Sequence, residues 1–367
     1  MTFMPFHHWW KLSLILALVL LFIGGSIILV ASPLVHARPL PVPRLQTPTL
    51  RVLFDNAHTE TAGNADWVIS KSQPDPLGEN PNPQKATDWT GGISAWGVTL
   101  QKTGRYSLMT NTGALTYGTP SNPLDLSNFN ALILPEPNNL FTSSEKTAIL
   151  TFVHNGGGLF MVADHSGSDR DNDGYDSLHV LNDLMNNSGV GNDPFGIQFD
   201  NTDIAKDYPS VDTPNSDPIL QGPFGTGTTS LINAGTTETI NPTDNPAVVG
   251  VIYKSGASAS GTTGVFIAHS TYGNGRVIAV GDSSAIDDGT CEPGNHCYNG
   301  WGDPAAQNGI LFPNGTEWLA NGSTQTPTPT VTTTSTSIPT VGTTPTVSPT
   351  STNGITPTTT TTPSIGG

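Results

Sequence analysis

Residues 142–167 read TSSEKTAILTFVHNGGGLFMVADHSG, and the order of signals within them points to a strand-and-helix architecture. Thr142 and Glu145 have the spacing of a capping box, in which the hydroxyl and the carboxylate each accept a backbone N–H at a helix start. Ile149, Leu150 and Val153 follow at helical spacing. Gly156, Gly157 and Gly158 then stop the helix, because glycine takes the left-handed conformation of a helix end without a Cβ clash. Leu159–Ala163 (LFMVA) is an unbroken apolar run, as a strand covered on both faces requires. A helix delivered by glycines onto such a strand is part of a βαβ unit. It predicts a three-layer α/β domain, a mostly parallel sheet with helices on both faces.

The flanking sequence extends the pattern. Strands are expected at Leu50–Asp55, Tyr106–Thr110 and Phe129–Leu134. A helix is expected over 88–104, opened by Asp88 as N-cap, and another at Leu178–Met185. Residues 190–245 are rich in Asp, Asn, Pro, Gly and Thr and read as long loops with short strands. Strands resume at Ala247–Tyr253, Gly264–His269 and Arg276–Gly281, and a last helix is expected at about 316–320. Nothing linker-like interrupts the middle, so residues 50–321 form one domain.

Charge divides the chain into three parts. All 29 acidic residues lie between Asp55 and Glu317, and residues 38–321 set them against 12 bases, a net −17. That balance excludes a nucleic-acid binder, which needs a basic footprint. Residues 12–31 are an apolar run long enough to cross a bilayer. Val35-His36-Ala37 has the small-residue pattern of a signal-peptidase site. Residues 1–37 are therefore a signal peptide or an uncleaved N-terminal membrane anchor, and both readings place the domain outside the cell or on its surface. Contact with the membrane is expected only through this segment. Residues 38–49 are a Pro-rich linker. Residues 322–367 are uncharged and Thr/Pro-rich, the composition of a disordered, extended tail. Cys291 and Cys297 lie in CEPGNHC, and an oxidising compartment favours their pairing as a disulfide over a metal site with His296.

In open parallel sheets ligands bind outside the carboxyl ends of the strands. The residues just past the expected strands are Asp55, Asn56 and His58, then Glu136 and Asn138, then Asp164, His165 and Ser166, then His269 and Ser270, then Asp282, Ser283 and Ser284. Such residues also cap helices and satisfy turns; as a set they outline one crevice. The catalytic expectation is His165 as general base or metal ligand, with Asp164, Glu136 and Asp55 as carboxylate partners.

The turn after His165 continues DRDNDGYD. Asp169, Asp171, Asp173 and Gly174 match the first half of a calcium loop, in which alternate carboxylates face one cation and glycine allows the bend. The closing glutamate is missing, with Val180 in its place, so Asp176 or Asp183 must substitute; the expected ligands are Asp169, Asp171, Asp173 and Asp176 and the expected ion is Ca²⁺. Residues 164–217 hold 12 acids opposed only by Arg170 and Lys206. Such a density repels itself unless cations neutralise it.

The succession of RVLFD, NFNALILPEPN and the 142–167 unit, ending in YGNGRVIAVGDSSAIDD and NGTEWLA, resembles class I glutamine amidotransferase-like (flavodoxin-like) domains, specifically the divergent trehalose-utilisation (ThuA)-like branch. The resemblance covers about residues 50–320 and implies their fold. Glutamine amidotransferases carry a cysteine nucleophile after the fourth strand. Here that turn reads Ala163-Asp164-His165-Ser166-Gly167, so that activity is not expected. The functional expectation is an exported, metal-supported hydrolase acting on carbohydrate or cell-wall material, or else a non-catalytic module that binds such a ligand in the same crevice.

Overall fold

The computed structural model describes residues 49–324, except 190–192, 214–215, 292 and 296. The assignments made for residues 1–37, for the linker up to residue 48 and for the tail from residue 325 lie outside the described residues. Within them, no helix is long and apolar enough to cross a membrane.

The strands are β1 (Leu50–Asp55), β2 (Tyr106–Asn111), β3 (Ala131–Pro135), β4 (Gly158–Val162), β5 (Ile197–Phe199), β6 (Gln221–Gly222), β7 (Gly225–Thr226), β8 (Glu238–Ile240), β9 (Val249–Tyr253), β10 (Val265–Tyr272) and β11 (Gly275–Val280). The helices of more than one turn are α1 (Ser94–Gln101), α2 (Ser143–His154), α3 (Ser177–Asn186) and α4 (Asn308–Asn321). The main sheet runs β2-β1-β3-β4-β11-β10-β8-β5, with β9 also paired to β10. From β2 to β11 all neighbours are parallel; from β11 onward the pairings are antiparallel.

Period-two alternation puts each central strand between two cores. Val52, Phe54, Ile133, Phe160, Val162 and Ile278 pack with Trp96 of α1 and Phe312 of α4. Leu53, Leu132, Leu134, Leu159, Met161 and Val277 face the other way, against Ile149 and Phe152 of α2 and Leu178 and Leu181 of α3. The domain is therefore the three-layer α/β fold expected. The indole of Trp96 joins the first core, with its ring 5.5 Å from Phe54, 5.1 Å from Phe160 and 5.5 Å from Phe312.

The 142–167 unit forms as its sequence dictates. Thr142 accepts from the Glu145 N–H and Glu145 returns to the Thr142 N–H. Gly156 takes φ +111°, and a Cβ on Gly158 would stand 2.6 Å from that of Leu319, where α4 crosses β4. Cys291 and Cys297 are joined by a disulfide.

Three expectations are corrected. Asp88 does not open a helix over 88–104; it ends a short turn, Ala86–Asp88, where its carboxylate accepts from Gln84 N and Lys85 N. Helix α1 starts at Ser94 instead, where Asp288 accepts from the Ser94 hydroxyl (2.9 Å) and the Ala95 N–H. A cap donated from so far along the chain leaves no local signal. The last helix is also longer than 316–320, because Gly309, Pro313 and Gly315 interrupt its pattern without breaking it. Finally, β10 runs past His269 to Tyr272 and is antiparallel to β11, so its carboxyl end lies at the opposite edge. His269 bonds Asp217 at 2.9 Å and packs on Trp318; it takes no part in the crevice.

Candidate active site

The parallel strands end together, and the residues past them meet in two groups. The first lies past β1. Asp55 is fully buried; its Oδ2 is 2.5 Å from His58 Nδ1 and its Oδ1 accepts from the Asn111 amide at 2.7 Å. His58 Nε2 lies 3.3 Å from Glu145 Oε1, and the His58 N–H is held by Glu60 Oε2 at 2.7 Å. Burial by itself lowers the pKa of His58, but Asp55, Glu145 and Glu60 outweigh it and push the imidazole up to about 10. His58 in turn overcomes the effect of burial on Glu145 and draws it down to about 2. Glu60, desolvated and beside Asp55, is pushed well up from the usual carboxylate range. The capping-box glutamate of α2 thus also closes a buried ionic network.

The second group lies past β3, β4 and β11. Asp164 follows the buried strand, its N–H on the Ser177 hydroxyl at 2.9 Å. Its Oδ1 is 2.7 Å from His165 Nδ1, and its Oδ2 accepts from Arg170 and from the Ser283 hydroxyl. Arg170 reaches back from the acidic loop and gives its Nε–H to Glu136 at 2.7 Å. Glu136 is fully buried and takes φ +55°. Ala234, whose carbonyl also lies 3.1 Å from His165 Nδ1, takes φ +60°. Left-handed backbone at non-glycine residues is costly and concentrates at functional sites.

Both neighbours of His165 Nδ1 are acceptors, so this nitrogen carries a proton in either charge state. Nε2 is then the nitrogen that gains or loses one. The hydrogen bond to Asp164 raises the His165 pKa against the opposing effect of burial. Asp164 itself is buried, which would raise it, yet His165 and Arg170 hold it below the usual carboxylate range. Glu136 is pushed up to about 7 by burial and by Asp164, with Arg170 opposing. Coulombic attraction to Glu136 and Asp164 outweighs desolvation and raises the Arg170 pKa, so the guanidinium stays charged.

Asp164, His165 and Arg170 open onto a cavity of about 180 Å³, whose other walls include Trp67, Asn233, Ser284, Asp287 and Tyr298. Of the four expected catalytic residues, Asp164 and His165 line this cavity. Glu136 stands behind them, joined through Arg170, and Asp55 belongs to the His58 network and is not among the lining residues.

The acidic loop holds a second cluster. Donor atoms of Asp169, Asp171 and Asp173 lie within 4.8 Å of one another. Asp169 accepts from the N–H groups of Asp173 and Gly174, Asp171 accepts from the Asn139 amide, and Asp173 from the Tyr175 N–H. These bonds hold three carboxylates together on one turn, and that donor set suits a hard cation. Asp176 is placed differently. It caps α3 through His179 N and accepts from Gly167 N.

Sequence reasoning missed Arg170, Asp287, Trp67 and Tyr298. Arg170 occupies a spacer position of the calcium motif; its signal is that it is one of two bases in a stretch of 12 acids. Asp287 was hidden in an Asp-Asp pair whose members diverge: Asp288 caps α1, whereas Asp287 faces the cavity.

No family model and no curated protein matches the chain. Among solved structures it is similar to the N-terminal domain of mmIFT52, at 13% identity and TM-score 0.44, covering 73% of this chain and 97% of that one. It is also similar to a ThuA-like protein from Parabacteroides merdae, at 14% identity and TM-score 0.38, covering 76% and 92%. An exo-beta-1,4-mannosidase from an Opitutaceae bacterium matches at 10% identity and TM-score 0.33, covering 65% of this chain and 32% of the enzyme. At this level the likenesses carry no argument about the site.

Proposed function

We propose that this is an exported or cell-surface hydrolase of carbohydrate or cell-wall glycosides, in which His165 activates water in the cavity above β4 and β11. The observation that carries the reading is the Asp164–His165 pair. One imidazole nitrogen is locked between two acceptors, and the side chain is one-quarter exposed at a cavity wall. This is the arrangement in which a carboxylate fixes the tautomer and orientation of a general base. Trp67 and Tyr298 supply apolar ring surface beside Asn233, Ser284 and Asp287. A sugar, apolar on its C–H face and polar at its rim, suits such walls. Glu136 and Arg170 position the pair: the guanidinium ties both carboxylates and holds Asp164 ionised. In this reading Ca²⁺ on Asp169, Asp171 and Asp173 braces the loop that delivers Arg170, and takes no part in bond breaking.

The test is a panel of soluble and cell-wall polysaccharides and aryl glycosides, assayed with Ca²⁺ present, for the wild-type domain and His165→Ala. Hydrolysis that falls about 10²–10⁴-fold in the variant, the usual range for a lost general base, supports the reading. A glycan that binds in the cavity of both proteins without turnover identifies a binding module instead.

A further inference from the structure

We propose that Asp287 is the proton donor to the leaving oxygen, acting from the cavity wall with His165 as its complementary base. The inference rests on the hydrolase reading above and goes beyond it by assigning the second half of the proton transfer.

Asp287 lies two residues past the short Ser283–Ala285 turn and lines the same cavity as His165. Its carboxyl group is fixed by backbone alone. Oδ1 accepts from Gly289 N at 3.0 Å and Oδ2 from Tyr298 N at 2.9 Å. A side chain held by main-chain donors keeps its aim while it gains and loses a proton. Tyr298 directly follows Cys297, so the Cys291–Cys297 disulfide closes the loop that grips Asp287.

The electrostatics agree with the placement. Burial, with Asp288 and Asp66 nearby, pushes Asp287 up to about 7, and the two backbone bonds only partly offset this. Arg170, the cation at the cavity, is already bound to Glu136 and Asp164. Asp287 is therefore a carboxylic acid in a large fraction of molecules near neutral pH, as a donor to a leaving group must be.

The reaction balances without a further reagent. Water gives a proton to His165 Nε2 while its oxygen bonds the anomeric carbon. The glycosidic C–O bond breaks with its electron pair on the leaving oxygen, which takes the Asp287 proton and departs as an alcohol. Solvent then carries the proton from His165 back to Asp287.

The experiment compares a methyl glycoside with a 4-nitrophenyl glycoside of the sugar found in the panel, for wild type, Asp287→Asn, Asp287→Glu and His165→Ala. An alkoxide needs protonation to leave and nitrophenolate does not. Asp287→Asn is expected to lose about 10²–10³-fold in kcat on the methyl glycoside, within the usual range for general acid catalysis, and to stay within about threefold on the nitrophenyl compound. Asp287→Glu is expected to recover part of the loss. Equal losses on both substrates, or none on either, overturn the proposal, and a melting curve for each variant shows that it is folded. A His165→Ala variant as active as wild type overturns His165 as the base, a wild type that turns over no glycoside overturns the hydrolase reading itself, and the response of Asp287→Asn shows separately whether its proton is used.

Discussion

His58 and His165 stand on either side of β3, each at the carboxyl end of a parallel strand and each beside an aspartate. We read one as structure and propose the other for chemistry, and the difference lies in what the second nitrogen meets. His58 is buried with Asp55 on Nδ1 and Glu145 facing Nε2. His165 has Asp164 and a carbonyl on Nδ1, and its ring is one-quarter exposed at the cavity. The same Asp–His pairing becomes a closed ion pair where acceptors face both nitrogens, and a usable base where only one is committed.

The largest expected effect breaks the closed side. His58→Ala leaves Asp55 and Glu145 buried without their cation. Removing one partner of a buried pair costs about 3–5 kcal/mol, which for a domain of this size lowers Tm by roughly 10 °C. His165→Ala, at the open site, is expected to cost under about 1 kcal/mol while abolishing most turnover. Thermal melts of the two variants side by side check this; equal destabilisation dissolves the distinction.

The closed side also has a pH signature. The pKa of His58 is raised from 6.5 to about 10 in the folded protein. Folding therefore binds a proton more tightly, and its stabilisation is complete below the unfolded pKa of 6.5 and is lost as pH rises toward 10. Tm should fall across this window, and a His58→Gln variant should lack that component. A wild-type Tm flat from pH 6.5 to 10, with His58→Gln parallel to it, removes the ion pair from the account.

The loop that carries Arg170 to the open site is expected to respond to calcium. Calcium at about 100 times its Kd adds about 2.7 kcal/mol, so the midpoint should rise by several degrees over an EDTA-treated sample. Asp171→Asn should erase most of that rise. A midpoint indifferent to EDTA eliminates the structural ion and leaves the loop braced by its own hydrogen bonds.

The sequence made some of this contrast legible and hid the rest for identifiable reasons. Helix α2, the glycines and β4 are encoded within 26 contiguous residues, so the layers and the place of Asp164 and His165 could be read directly. In sequence Asp55 groups with them because it too ends a strand; only burial and the arrival of Glu145 from α2 separate it. Arg170 and Asp287 were illegible for the same kind of reason. Each reaches the cavity from a loop whose local pattern advertises another role, a calcium motif in one case and an Asp-Asp turn in the other. The Asp288 cap on α1 spans nearly 200 residues, beyond what any local pattern carries.

The most direct test needs no substrate. A nitrogen-15 NMR titration of the histidine rings, assigned with His58→Gln and His165→Gln, reads the state of both imidazoles. His58 is expected to keep both ring protons until about pH 10, while His165 is expected to titrate at a pKa above 6.5 with Nδ1 protonated throughout and the change confined to Nε2. A His58 that titrates near 6.5, or a His165 whose neutral form carries its proton on Nε2, contradicts this.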